Sequence, residues 1–249
     1  MTVSSELLVF VSALLFGLRH GIDWDHIAAI ADVTGSQEAP AQSLWLGTVY
    51  ALGHGLVVAA LGLLAVSVGD LLPDWVDATM EHVVGLTLIV LGVYVVYSLV
   101  KDRQNFRMRS RWMLIFEGVE IGYRRLMSKI TGVDVQTPVR RRNYGFTSAF
   151  IVGMIHGVGA ETPTQVLLFL SAAGVAGKAV GMALVLTFII GLLISNSAIT
   201  LLSTFGFTGA RKNTATLVAL GGITAVFSLA VGTVFLLGQG GILPAFFGG

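Results

Sequence analysis

The sequence predicts an all-α polytopic membrane protein, and three observations support that prediction. Apolar residues make up 55% of the 249 positions and charged residues 12%, whereas a soluble domain carries about 25% charged residues. Long apolar stretches recur along the chain, and a membrane-spanning helix needs roughly 20 apolar residues. Eleven of the fifteen Lys and Arg residues lie between Lys101 and Arg142, and such a concentration marks a cytoplasmic loop.

The apolar stretches predict about six transmembrane helices. They lie at residues 5–33, 43–68, 82–100, 146–171, 178–203 and 214–238. The first is interpreted as one broken or tilted helix with Gly21 at the break, because neither apolar run beside its polar centre is long enough to span alone. The alternative is two separate helices, which gives seven in all and moves the N-terminus from the outside to the inside.

Three regions follow from this division: a three-helix half at 1–100, a basic cytoplasmic loop at 101–145 and a second three-helix half at 146–249. The loop contains four apolar residues at helical spacing, namely Phe116, Val119, Tyr123 and Leu126. This spacing predicts an amphipathic helix that lies on the membrane or on the protein. The basic charge is interpreted as a topology signal, so the lipid bilayer is the predicted partner and no nucleic acid is expected.

The strongest functional signal is a cluster of ionisable residues between apolar stretches. Two histidines and two aspartates fall within seven positions: His20, Asp23, Asp25 and His26. Three more ionisable residues lie in other apolar stretches: His54, His156 and Glu161. Ionisable groups at membrane depth are costly and usually functional. Imidazole and carboxylate together suit borderline divalent metals such as Ni, Co, Zn and Cu, and the chain has no cysteine for a soft-metal site.

A continuous helix could not bring this cluster to one ion. His20 and His26 would point about 240° apart around a helix of 3.6 residues per turn. They converge only if the backbone breaks between Gly21 and Asp23, and the backbone groups freed by a break must line a cavity or find partners. Asp32, near the end of the same stretch, is expected to be solvated.

Part of the cluster is repeated in the second half. Residues 17–21 and 153–157 both read G-x-x-H-G, and a carboxylate, Asp25 or Glu161, follows each histidine by five positions. With three spans in each half, the two copies have opposite orientations in the membrane. Inverted repeats with broken helices at the substrate site are a transporter architecture, so a 3+3 inverted repeat with broken helices at the metal site is predicted.

Two motifs of the first half resemble those of the nickel/cobalt transporter family. Residues 19–27, RHGIDWDHI, are similar to the family stretch R-H-A-x-D-A-D-H-I and contain its H-x4-D-H pattern. Residues 52–55, LGHG, resemble the family motif L-G-H followed by a small residue. The first of these motifs is the more specific.

Two weaker motifs of the second half resemble the same family. Residues 157–165 are similar to G-L-G-F-D-T-A-T-E, with Glu161 in place of the family Asp and Gln165 in place of its Glu. Residues 195–197 resemble a membrane Asp-Thr pair, with Asn196 in place of Asp. The chain is short, with about six spans where the family usually has eight, and it resembles the short accessory permeases of the wider superfamily that are found with urease.

The resemblance implies a secondary permease of the cytoplasmic membrane that imports Ni²⁺, with Co²⁺ as a second candidate ion. The ion is the cargo, no cofactor is implied, and transport would proceed by rocking of the two halves around a central site. The residues assigned to the ion are His20, Asp25, His26, His54 and Glu161, with Asp23, His156, Asn196 and Thr162 as further contributors.

Two alternatives from other classes use the same residues. A membrane-embedded metalloenzyme would use Glu161 as general base beside a metal-bound water. A proton-coupled permease for an organic solute would use the His and Asp groups as a proton relay. Rapid transmembrane flux of a divalent metal would exclude the enzyme, and transport indifferent to divalent metal would favour the solute permease.

Overall fold

The structure is a computed structural model that describes residues 3–68, 74–101, 111–131, 145–158 and 177–239. The regular secondary structure within these ranges is entirely α-helical, which confirms the all-α prediction. The helices are α1 (Val3–His20), α2 (Trp24–Gly35), α3 (Pro40–Val68), α4 (Asp74–Lys101), α5 (Arg111–Thr131), α6 (Phe146–Val158), α7 (Lys178–Ala210) and α8 (Thr214–Leu236).

Several of the described helices are long and apolar enough to cross a membrane. Residues Pro40–Ser67 of α3, the whole of α7 and the whole of α8 meet that requirement alone. Helices α1 and α2 qualify as a fourth crossing when taken together, although they are bent by 54° at the break between them. These elements confirm a polytopic membrane protein. The fourth predicted span is described only as far as residue 158, so the count of six stays a prediction.

The outer faces of these helices are as apolar as their packed faces. Leu202 of α7 is 75% exposed and Ile223 of α8 is 67% exposed. A helix that is apolar on all sides belongs in a membrane or in a large core. The exposed side chains are therefore lipid-facing.

The break between α1 and α2 follows from the residues that occupy it. Gly21 lies so close to α7 that a Cβ there would overlap the hydroxyl oxygen of Ser195. Asp23 has an extended backbone, with φ −63° and ψ 156°, and is the N-cap of α2, although its side chain makes no capping hydrogen bond. The bend thus contains Gly21, whose lack of a side chain permits the contact with α7, and Asp23, at which the next helix begins.

Each half of the sequence packs its first helix on the other half. Helix α1 packs mainly against α7, and α6 packs mainly against α3. Helices α3 and α7 also contact each other, and α4 packs along α8. This exchange places α2, α3, α6 and α7 around one centre.

Glycines bring the exchanged helices into backbone contact. A Cβ on Gly17 of α1 would overlap the carbonyl oxygen of Phe188 in α7, and a Cβ on Gly153 of α6 would overlap that of Tyr50 in α3. The two contacts are copies of each other, because Gly153 follows Gly17 by 136 positions and Phe188 follows Tyr50 by 138. Small residues permit this close approach of helices in membranes.

The contact between α3 and α7 has the same internal symmetry. Gly47 of α3 lies against Thr200 of α7, and Gly62 of α3 lies against Val185 of α7. The offset from Gly47 to Val185 and from Gly62 to Thr200 is again 138. The two helices run antiparallel, because the earlier residue of one meets the later residue of the other.

The contact between α4 and α8 repeats with an offset of 140. A Cβ on Gly92 would lie 3.2 Å from the carbonyl oxygen of Ala225, and a Cβ on Gly232 would lie 2.9 Å from that of Gly85. Together these paired contacts describe a pseudo-two-fold relation of α1, α3 and α4 to α6, α7 and α8. They support the inverted repeat that the shared G-x-x-H-G pattern predicts.

Helix α5 lies within the basic segment 101–145. Its side chains Val119, Tyr123 and Leu126 are each more than half exposed, whereas Phe116 packs against a core cluster formed by α2, α3 and α6. One of these four apolar side chains therefore packs on the protein, and the other three lie on its exposed surface. On the polar side of the helix, Glu120 and Arg124 form an ion pair at 2.5 Å.

The expectation that Asp32 is solvated is wrong. Its side chain is only 2% exposed. Helix α2 packs against both α3 and α7 and is buried over most of its length, so a residue near its end is still inside the bundle.

Candidate metal centre

The centre forms where α1 ends and α2 begins. His20 is the last residue of α1, and His26 lies in the first turn of α2. The break turns the two side chains toward each other, so that their ring centroids lie 4.7 Å apart. The break therefore brings together two histidine side chains that a continuous helix would point in different directions.

His54, in the middle of α3, completes a group of three buried imidazoles. Its Nε2 atom lies 3.1 Å from Nε2 of His26, and its ring centroid lies 5.7 Å from that of His20. None of the three side chains is more than 3% exposed. One ring nitrogen from each lies within 4.8 Å of the others.

Asp25 links this group to a fourth histidine. One carboxylate oxygen accepts from Nδ1 of His26 at 3.0 Å and from the His26 backbone N–H at 2.9 Å. The other carboxylate oxygen accepts from Nε2 of His156 in α6 at 3.0 Å. Asp25, His26 and His156 form a second group of potential ligands within 4.8 Å, so His26 belongs to both groups.

The hydrogen bond to Asp25 determines which nitrogen of the His26 ring carries the proton. An ionised carboxylate only accepts hydrogen bonds, so Nδ1 of His26 carries the proton. Nε2 then keeps its lone pair and points at His54. Metal-binding histidines are usually oriented in this way, by a carboxylate on the ring nitrogen that does not bind the metal.

The spacing of the ring nitrogens fits one metal ion. Two ligands that each lie about 2.0–2.1 Å from an ion are separated by about 2.8–3.4 Å when the angle between them is about 90–110°. The 3.1 Å between Nε2 of His26 and Nε2 of His54 falls in that interval. Within the described part of the chain, neither ring nitrogen of His20 makes a hydrogen bond, and Nδ1 of His54 makes none. Buried donors and acceptors are normally satisfied, so these atoms are available to a ligand.

The remaining predicted site residues lie at different distances from this centre. The Asp23 carboxylate is 3.7 Å from Nδ1 of His20 and is 35% exposed. Asn196 of α7 is fully buried beside the break, and a Cβ on Gly21 would lie 3.0 Å from its Oδ1 atom. Glu161 and Thr162 lie outside the described residues, so their relation to the centre stays a prediction.

Two aromatic residues beside the centre were not predicted from the sequence. The Tyr50 ring lies 6.3 Å from that of His54 and 5.9 Å from that of His156, and Phe188 lies 5.5 Å from His20. Tyr50 could have been found, because it precedes His54 by one helical turn on the same face. Phe188 has no such signal, although it is the repeat-related counterpart of Tyr50.

Fold and site define a class of protein: a polytopic membrane protein with a buried centre of nitrogen and oxygen donors that suits a divalent transition metal. Residues 7–241 match the NicO family, described as high-affinity nickel-transport protein. The chain belongs to this family.

Individual relatives agree with the family assignment at low identity. The chain is 26% identical to the cobalt transport protein NhlF of Rhodococcus rhodochrous, over 95% of its own length and 72% of the relative. It is 28% identical to the hydrogenase nickel incorporation protein HupN of Bradyrhizobium diazoefficiens, over 73% and 50% of the two chains. It is 25% identical to the nickel transporter NicT of Mycobacterium tuberculosis, over 92% and 66%. No solved structure matches the chain.

These matches confirm the resemblance that the four motifs indicate. They identify a membrane transporter of metal ions and decide against the metalloenzyme alternative, because the family and its members are transport proteins. The metal ion is therefore a substrate of the protein and not a resident cofactor.

Proposed function

We propose that the protein imports Ni²⁺ across the cytoplasmic membrane into the cell, and that Co²⁺ is a second substrate. The relatives named for nickel and cobalt transport support both ions. The basic segment 101–145 supports an orientation of the protein in which this segment lies in the cytoplasm, because positively charged loops face that side. The observation that carries the proposal is the 3.1 Å contact between the Nε2 atoms of His26 and His54, with His20 beside them.

In the proposed site, His20, His26 and His54 bind the ion through ring nitrogens. Asp25 holds His26 in the orientation that binds metal, and it brings His156 to the edge of the same centre. Its negative charge also offsets part of the charge of the ion. A site of imidazoles with one carboxylate nearby favours Ni²⁺ and Co²⁺ over Mg²⁺, which prefers oxygen donors and keeps its water.

Four further residues are assigned weaker roles. Asp23 orients His20 from 3.7 Å, and Asn196 offers an amide oxygen from α7. Glu161 and Thr162 are assigned to the ion through the family motif alone. Asn196, Glu161 and Thr162, which belong to the second half of the chain, would complete the coordination that the imidazoles begin.

Transport then requires that the closed centre opens to each face of the membrane in turn. The imidazoles replace water ligands as the ion enters, and the ion leaves when helices separate on the opposite face. Because the three histidines are almost completely buried, no ion can leave this centre without a movement of helices.

Uptake of radioactive nickel by cells that produce the protein tests the proposal. The His26→Ala variant should lose at least about 90% of the uptake at equal protein level, since it removes a ligand common to both groups. The matched control is His82→Ala, which changes an exposed histidine of α4 outside the centre. Excess Co²⁺ should block uptake and excess Mg²⁺ should not. Full uptake by His26→Ala, or uptake indifferent to Co²⁺, would overturn the proposal.

A further inference from the structure

A row of buried polar side chains runs along α7 from the metal centre toward Arg211. Asn196, Thr200 and Thr204 lie at every fourth position and so share one face of the helix. They are 0%, 2% and 1% exposed. The row covers about 12 Å at 1.5 Å per residue, close to half of a hydrocarbon core of about 30 Å.

The hydroxyl groups of this row differ from others on the same helix. Thr187 and Thr208 donate to the carbonyl oxygen four residues earlier, at 2.8 Å and 2.7 Å, as helical threonines commonly do. Among the described residues, the Thr200 and Thr204 hydroxyls have no hydrogen-bond partner, and neither amide atom of Asn196 has one. Buried polar groups without partners are destabilising, so three such side chains in one row require an explanation.

Helices α2 and α3 form the other walls of this seam. Gly47 of α3 lies directly against Thr200. Further along, the hydroxyl groups of Thr34 in α2 and Ser203 in α7 are 2.7 Å apart, and Ser43 of α3 donates to the Thr34 carbonyl oxygen at 3.0 Å. The seam between α2, α3 and α7 is therefore lined by polar groups and closed by direct contact.

The internal repeat supplies a comparison within the same molecule. At the offset of 138, the row corresponds to three apolar positions of α3: Val58, Gly62 and Val66. Val58 and Val66 are 1% and 2% exposed and belong to an apolar core cluster. The two seams are equally buried, but only the seam on the Arg211 side of the centre is polar.

We propose that this polar seam is the route by which the metal ion passes between the metal centre and the Arg211 end of the bundle. The oxygens of Asn196, Thr200 and Thr204 replace water ligands in succession as α2 moves away from α7. Neutral oxygen donors hold ions of this class less tightly than imidazoles do, so the ion is not trapped on the way. The inference rests on the proposed function as a metal transporter.

The natural absence of cysteine allows a direct test of access to the seam. Thr200→Cys and Thr204→Cys are made separately and exposed to a small charged methanethiosulfonate in membrane fragments that are open on both faces. Val66→Cys is the matched control, since it is equally buried at the repeat-related position of Thr204. Lys212→Cys, at an exposed position, reports that the reagent is active.

The thiols at 200 and 204 should react at least about tenfold faster than the thiol at 66, and saturating Co²⁺ should slow them. Equal rates at 66, 200 and 204, with Lys212→Cys reacting normally, would overturn the proposal. Because this measurement does not depend on transport, it can refute the proposed route through the seam independently of the proposed import of nickel.

A second test removes the hydroxyl and keeps the shape. Thr200→Val and Thr204→Val should each lower the initial rate of Co²⁺ uptake by about tenfold, as expected for one lost polar contact. The affinity of the purified protein for Co²⁺ should change less than twofold, because the metal centre is untouched. Thr187→Val, whose hydroxyl is satisfied within its own helix, should keep the normal rate. Normal uptake by both seam variants, or an equal loss of affinity, would overturn the assignment.

Discussion

The Nε2 atoms of His26 and His54 lie 3.1 Å apart although 28 positions separate the two histidines in the chain. The bend of 54° after His20 turns α2 into the bundle, where it packs against α3. The contact therefore depends on a local feature, the helix break, and on the packing of α2 against a helix that is distant in sequence.

Removal of one imidazole should abolish tight metal binding. The His54→Ala variant is expected to bind Ni²⁺ more than about 100-fold more weakly than the wild type, since a direct ligand matters more than the outer groups, whose loss costs 10–100-fold. Calorimetric titration of the purified protein measures this change, and His82→Ala provides the control. An unchanged dissociation constant for His54→Ala would remove His54 from the site.

Asp25 should behave as a positioning residue. Asp25→Asn keeps the size of the side chain but offers one acceptor oxygen where two ring N–H groups now donate. We expect a loss of affinity of about 10–100-fold, smaller than the loss in His26→Ala. The same titration measures both variants. Weaker binding by Asp25→Asn than by His26→Ala would instead make the carboxylate a direct ligand.

The repeat-related glycines should be equally intolerant of alanine. Gly17→Ala and Gly153→Ala each place a Cβ against a carbonyl oxygen of the facing helix, and such overpacking costs about 1–3 kcal/mol. Thermal unfolding in detergent, followed by loss of monodisperse protein, measures the effect. Gly206→Ala is the control, because nothing lies near its Cβ position and alanine favours the helix by up to about 1 kcal/mol. Equal stability of all three variants would refute the close packing described above.

Arg211 should stabilise the end of α2. Its guanidinium donates to the carbonyl oxygens of Gly35 at 2.7 Å and Glu38 at 3.4 Å, where the helix leaves carbonyl groups unpaired. Because the residue is half-buried, Arg211→Ala should cost about 1 kcal/mol, or about 2–4 °C in Tm for a chain of this size. Lys212→Ala, at the neighbouring exposed position, should leave Tm unchanged. A larger shift in Lys212→Ala than in Arg211→Ala would contradict this role.

The helix break and the histidine cluster could be predicted because each follows from local sequence. His20 and His26 are six positions apart and cannot both face one ion on a regular helix, so the functional interpretation itself required the bend near Gly21. The burial of Asp32 could not be predicted, since it depends on α3 and α7, which are distant in sequence. Periodicity identifies the apolar face of a helix but not the helix that covers it.

The full extent of the repeat could not be predicted from the sequence either. The G-x-x-H-G pattern recurs at an offset of 136, but the equivalent positions of α3 and α7 differ by 138 and those of α4 and α8 by 140. Small differences in the number of residues between equivalent helices change the offset from one helix to the next, so a comparison at one fixed offset fails after the first helix. Thr200 and Thr204 gave no signal either, because threonines are ordinary in apolar helices and only the unsatisfied hydroxyls distinguish them.

The exchange of first helices between the repeats has a mechanical consequence. The two halves of the sequence are interlocked, with α1 held by α7 and α6 held by α3 through backbone contacts at glycines. They cannot rock apart as two separate units without breaking these close backbone contacts. We therefore expect the rigid units to be mixed pairs, α1 with α7 and α3 with α6, and we expect α2 to be the element that moves between them. A cysteine pair at Thr34 and Ser203, where α2 touches α7, should lock the carrier when oxidised and release it when reduced; undiminished transport by the oxidised form would show that α2 does not move.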